Sequence, residues 1–180
     1  SLNTAFLADG LCVRIAPGTV VDKPVHLVSI GAAPDGQAVM FHPRLLVLAG
    51  EASQVTLVES HIGAGGHDGG RDGTAYFSNI VAEVAAAESA VVRHYKRQQE
   101  APEAFHVAAT AVDVADKATY ESFVLQTGGR LARNEISTRL GTRTECRLNG
   151  AYMLKGSQHA DNTTLIDHVG TDGTSRELYK

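Results

Sequence analysis

Arg133 to Lys180 reads RNEISTRLGTRTECRLNGAYMLKGSQHADNTTLIDHVGTDGTSRELYK, and its rhythm decides the fold. Short alternating runs, Ile136-Thr138-Leu140 and Cys146-Leu148-Gly150, are separated by turn residues, which is the pattern of half-buried strands. The same figure recurs upstream. Ile136, Thr138 and Leu140 fall 28 positions after Ala108, Thr110 and Val112, which fall 28 after Ile80, Ala82 and Val84. A second strand keeps the step, from Ala90, Val92 and His94 to Ala118, Tyr120 and Ser122, then to Cys146, Leu148 and Gly150. Glu51 matches Glu88 at a step of 37, which is the period plus roughly the length of the glycine-rich run GAGGHDGGRDG at Gly63 to Gly73. That run has no apolar anchor and reads as an inserted, mobile surface loop. Val13 and Ile15, Val25 and Leu27, Leu45 to Leu48, and Gln54 to Val58 extend the strand rhythm toward the N-terminus.

A repeat this short cannot bury a face alone, and stacking successive copies solves the problem. The expected fold is all-β: a flattened, right-handed parallel β-helix, or β-solenoid, of about six coils with two strands per coil. The hand follows from the rule for crossovers between parallel strands. Ala82 to Ala90 is alanine-rich and the best helix candidate, but its place in the period predicts strand, turn, strand, and context overrides propensity. Residues 1–10 read as a truncated lead-in and 11–180 as the β-helix core domain, incomplete at its C-terminal end. Terminal coils without caps leave unpaired edges, so pairing with a second copy through the β-helix ends is expected if the chain is not part of a longer protein.

The 180 residues carry a formal charge of −4 with a pI near 6.0, so no nucleic-acid partner is expected. No secretion signal and no apolar run long enough for a bilayer are read, which predicts no membrane partner and a cytoplasmic location. Cys12 and Cys146 are too few for a disulfide framework and are expected to be buried and inert.

Four stretches carry a family resemblance: RNEI at Arg133 to Ile136, ECRLNGAY at Glu145 to Tyr152, GSQHADNTTLIDH at Gly156 to His168, and TSRELYK at Thr174 to Lys180. Together they resemble the β-helix core of the SufB/SufD family of iron–sulfur cluster assembly proteins. The resemblance implies a non-catalytic scaffold subunit of the SUF system that pairs with a SufB-like subunit and the ABC-type ATPase SufC. It implies no cofactor in this chain; the family complex handles Fe–S clusters and uses ATP through its partner. In relatives the chain continues through further coils and a helical segment. They often carry another histidine where Val169 to Gly173 reads VGTDG here.

The polar cluster around Gln158 to His168 invites a second reading. His159, Asp161 and His168 have the residue types of a two-histidine, one-carboxylate iron site, which would make the chain a small metal-binding β-helix enzyme. Strand parity puts His159 and Asp161 on one face and His168 on the other, so convergence needs a turn. The structural alternative is that Asp161 to Thr164 close a turn and satisfy its backbone. Arg93-His94-Tyr95-Lys96-Arg97 looks like a nucleic-acid patch, but alternation divides it between two faces. The glycine run lacks the lysine that a phosphate loop requires. A carbohydrate-active β-helix enzyme would want clustered carboxylates and aromatic platforms, and the chain has no Trp. No catalytic residue and no cofactor-binding residue is assigned.

Overall fold

Two parallel sheets face one another and share the chain alternately, as a computed structural model of residues 2–33, 37–64 and 75–180 describes. After a single helical turn α1 (Leu2–Ala5), the strands are β1 (Gly10–Ile15), β2 (Val25–Gly31), β3 (Val39–Phe41), β4 (Arg44–Ala49), β5 (Gln54–Gly63), β6 (Tyr76–Ala86) and β7 (Val91–Gln99). They continue as β8 (Phe105–Val114), β9 (Thr119–Gln126), β10 (Leu131–Leu140), β11 (Glu145–Tyr152), β12 (His159–His168) and β13 (Thr174–Tyr179). The first sheet runs β1-β4-β6-β8-β10-β12, with β3 also on β6; the second runs β2-β5-β7-β9-β11-β13. The chain is a β-solenoid. Six strands along each path give about five turns where about six coils were expected. The glycine run lies, from residue 65 on, outside the described residues.

Alternation does the sorting. Even-numbered residues of β6, β8 and β10 are buried in the tube and their odd-numbered neighbours face out, as the period of two requires. Ala82 to Ala86 is therefore strand rather than helix. Leu57, Val92, Val114, Tyr120, Leu140 and Leu148 are fully buried in the core, each aliphatic one contributing about 1.5–3 kcal/mol over exposure.

The coil length is not constant. Phe77 pairs with Phe105 and Leu131 with His159, steps of 28, but Phe105 pairs with Leu131, a step of 26. Ala108 therefore stacks on Ile80 on one side and on Asn134, not Ile136, on the other; likewise Cys146 pairs with Tyr120 rather than Ala118. The cause is local. Gln126 to Leu131 is a tighter corner than Gln98 to Phe105, and it holds Gly128-Gly129. A Cβ on Gly128 would lie 2.5 Å from the Glu100 nitrogen, and Gly129 has φ of 77°.

The opposite corner is nearly uniform, taking five positions in each coil but the last, where His168 to Thr174 takes six. Gly18, Ala52, Ser89, Lys117, Arg143 and Asp172 all have positive φ, one per coil. Ser53, Ala90 and Ala118 donate back to Gly50, Ala87 and Ala115, closing turns with the positive-φ residue third, as in type II. Five of these residues also donate their backbone N–H to the next coil: Gly18 to Glu51, Ala52 to Glu88, Ser89 to Asp116, Lys117 to Thr142 and Arg143 to Thr171.

Candidate functional site

The inside of the tube has two halves. Toward the uniform corner it is apolar, lined by Ala86, Ala90, Val114, Ala118 and Leu140. Under the other rim, where the second sheet hands the chain to the first, the inward positions carry Glu59 and His61 of β5, His94, Lys96 and Gln98 of β7, Glu100 just beyond it, and His106 of β8. All of them are buried. The backbone pattern that fills the rest of the tube with aliphatic side chains here delivers charges.

Glu59 is the centre. One carboxylate oxygen accepts from His61 Nε2 at 2.9 Å and the other from His94 Nε2, while His94 Nδ1 contacts the Tyr120 hydroxyl at 3.0 Å. Burial pushes the Glu59 carboxyl up, but the Lys96 ammonium, the His94 charge and the two imidazole hydrogen bonds hold it well below the usual carboxylate range. Lys96 reaches Thr110 Oγ1 at 3.5 Å.

A second carboxylate lies beside it. Glu100 accepts from Ser78 Oγ at 2.7 Å and Gln98 Nε2 at 3.2 Å. His106 Nδ1 sits 2.7 Å from Glu100 Oε2, within ion-pair distance but off the line of a ring N–H bond, and its Nε2 has no partner among the described residues. Burial raises the Glu100 carboxyl, and the contacts from His106, Ser78 and Gln98 outweigh it and keep it low. His106 is depressed, because burial of its cation outweighs the attraction of Glu100. The His61 and His106 rings lie 5.1 Å apart, which joins the two carboxylate groups. The polar fill continues along the axis: Gln98 Oε1 accepts from the Gly128 N–H, and Gln126 Oε1 accepts from Asn162 Nδ2 at 2.7 Å.

Chemically the cluster holds protons and charge. Its hydroxyl is a poor nucleophile, since burial drives the Tyr120 phenol far up, and burial likewise pushes the nearby Cys146 thiol up to about 11. Among the described residues no group of three or more His, Cys, Asp or Glu side chains is placed to hold a metal ion.

The residues singled out in the sequence lie elsewhere. His159 and Asp161 face outward at the start of β12, with Asp161 Oδ2 3.5 Å from Arg133 Nε. His168 ends the same strand with inward parity and contacts Ser175 Oγ at 3.1 Å. Nine residue steps along the strand separate the histidines by about 30 Å, so the structure does not bring the three together. The turn expected at Asp161 to Thr164 is absent as well: β12 is continuous, because pairing with β10 sends Asn162 and Thr164 inward as further rungs of existing columns. Cys146 is buried as expected; Cys12 is exposed, since it faces out from edge strand β1. The Arg93 to Arg97 run is divided as alternation requires, with His94 and Lys96 inside and Tyr95 outside. Alternation in the sequence divides this run between two faces but does not reveal the cluster. Its signal was charge at inward parity, with Glu59 and Lys96 separated by the same 37 positions as Glu51 and Glu88.

No helix of the described residues is long and apolar enough to cross a membrane. The family model described as SUF system FeS cluster assembly, SufBD core domain, matches residues 31–180. An iron-sulfur cluster assembly SufBD family protein of Synechocystis sp. is 30% identical over 182 residues, covering 100% of this chain and 40% of that protein. The chloroplastic protein ABCI7 of Arabidopsis thaliana is 27% identical, over 100% of this chain and 38% of its own length. The iron-sulfur cluster assembly protein SufD of Escherichia coli is 26% identical, over 93% of this chain and 38% of its own. The chain thus spans about two fifths of the length of these relatives. Stacked parallel coils and a family match that runs from the end of β2 to the last residue lead to one conclusion: the chain belongs to the SufBD family of the SUF iron–sulfur cluster assembly system.

Proposed function

We propose that this chain is the β-helix core of a scaffold subunit that works in iron–sulfur cluster assembly without catalysing a step itself. In the longer protein it pairs with a SufB-like subunit and with a SufC-like ATPase, in the cytosol, and the cluster is cargo of the whole complex. The observation that carries this reading is the family match over residues 31–180. A filled tube supports it: side chains occupy the interior from rim to rim, and the buried acids and imidazoles are engaged with one another rather than with an open cleft. A stacked core of this kind supplies rigid geometry to which other subunits are fixed.

The test is to express the full-length protein with SufB-like and SufC-like subunits from the same source and isolate it by a tag on one of them. A stable complex containing all three is expected. Failure of the three to associate, with each folded, defeats the assignment.

A further inference from the structure

The outward half of the Arg93 to Arg97 run belongs to a larger pattern. On the outer face of the second sheet, register aligns Val58, Tyr95, Phe123, Asn149 and Leu178 in one file across β5, β7, β9, β11 and β13. Tyr95 and Phe123 are each 39% exposed and Leu178 55%. In the next file, Ser60, Arg97, Leu125 and Ala151, Leu125 and Ala151 widen the apolar strip while Arg97 adds a charge and Ser60 is buried. On its other side stand Arg93, Glu121, Arg147 and Arg176, again in register. Four steps at about 4.8 Å give the central file a length of about 19 Å.

We propose that this face is a docking surface for a protein segment that presents a row of apolar side chains flanked by carboxylates. Charge supports the choice of occupant. Four arginines and two glutamates face outward from these strands, an excess of two positive charges on a chain whose formal charge is −4. The first sheet's outer face instead carries five carboxylates, Glu83, Asp113, Glu135, Asp161 and Asp167, against four arginines. Arg97 is bonded to Gln99, and neither it nor Arg176 has a carboxylate within ion-pair distance among the described residues.

The same charges argue against a nucleic acid. A phosphate chain needs a continuous cationic track beside its stacking platform, whereas Glu121 sits between Arg93 and Arg147 and pairs with both. Exposed aromatic and aliphatic side chains among arginines instead have the composition of a protein interface, where desolvated rings provide affinity and rim charges select the partner.

The experiment places the photo-crosslinking residue benzoylphenylalanine at Phe123, and separately at Tyr95, in the full-length protein in its native cells, and sequences the crosslinked peptide. A single dominant crosslink is expected to a second polypeptide, at a segment with apolar residues flanked by Asp or Glu. Arg97→Glu with Arg176→Glu is expected to cut its yield about fivefold without lowering the thermal midpoint, since both side chains stand at the surface. No crosslink from either position, one within the same polypeptide, one to lipid or nucleic acid, one to a segment lacking carboxylates, or a yield that ignores the charge reversal each overturns the proposal.

Discussion

Lys96 lies directly opposite Glu59 on the neighbouring strand, with both side chains inside the tube. A buried pair of this kind stabilises little against an apolar replacement, yet removing one member strands the other in a medium that penalises its charge. Lys96→Met is expected to cost about 3 kcal/mol, the lower end of the usual range because His94 and His61 still face the carboxylate. Glu59→Met alone is expected to cost as much. The double variant should lose less than the sum by about 1–3 kcal/mol, read from urea unfolding of the four proteins; strict additivity contradicts the pairing.

Acid should weaken the fold in two stages. His106 is held below its ordinary 6.5, so the unfolded chain takes up a proton that the native state resists, and its contribution is complete above about 6.5 and lost as pH falls toward the lower native value. Glu59 and Glu100 are held below 4.5, so their contribution is complete above that value and lost as pH falls through the depressed native values. The unfolding midpoint should therefore fall gently from pH 6.5 and steeply below 4.5. In His106→Gln the gentle stage should shrink, and the steep one should persist through Glu59 while losing part of the Glu100 contribution, which rests on His106.

The corner at Gly128 sets the register of every later rung. A methyl group there meets the Glu100 backbone nitrogen at 2.5 Å and oxygen at 2.6 Å, neither of which can swing aside. Gly128→Ala is expected to cost about 3 kcal/mol and to raise hydrogen exchange in 127–140 ahead of 54–63. Gly18→Ala, at a turn with nothing within 4 Å but φ of 69°, should cost only about 1 kcal/mol. Equal losses would mean that space at Gly128 is not the limit.

The two thiols should differ sharply. Cys12 is exposed, and Cys146 is fully buried with its thiol pushed up to about 11. At neutral pH one equivalent of Ellman's reagent is expected to react at once and the second only on unfolding. Fast release of two equivalents from the native protein would contradict the packing around Cys146.

Much of this architecture is readable from parity. A register error of two residues leaves every side chain on its proper face, which is why pairing Ala108 with Ile136 in the sequence still places both correctly inside although Asn134 is the true neighbour. The shortening was itself written in Gly128-Gly129, but a repeat search rewards equal spacing and passes over a shortened corner. The polar cluster was harder to see. Glu59, His61, His94, Lys96 and His106 come from three strands, and no short motif contains them all; only when the coils are laid in register do inward charges fall together. His159, Asp161 and His168 misled for the converse reason, since closeness in sequence along a straight strand means distance in space.

Ile15 to Val20, Ala49 to Gln54, Ala86 to Val91, Val114 to Thr119 and Leu140 to Glu145 each span five positions and His168 to Thr174 spans six, while the connections on the far side range from five between Gln126 and Leu131 to thirteen between Gly63 and Tyr76. The molecule resembles a bound volume, stitched along a spine whose spacing is fixed by the left-handed residues and open along the fore-edge. Residues added or deleted at that open margin change the length of the coil there, as the short corner at Gly128-Gly129 does, while each side chain keeps its face. New recognition surface can thus be acquired along the margin that covers the charged interior, at no expense to the binding.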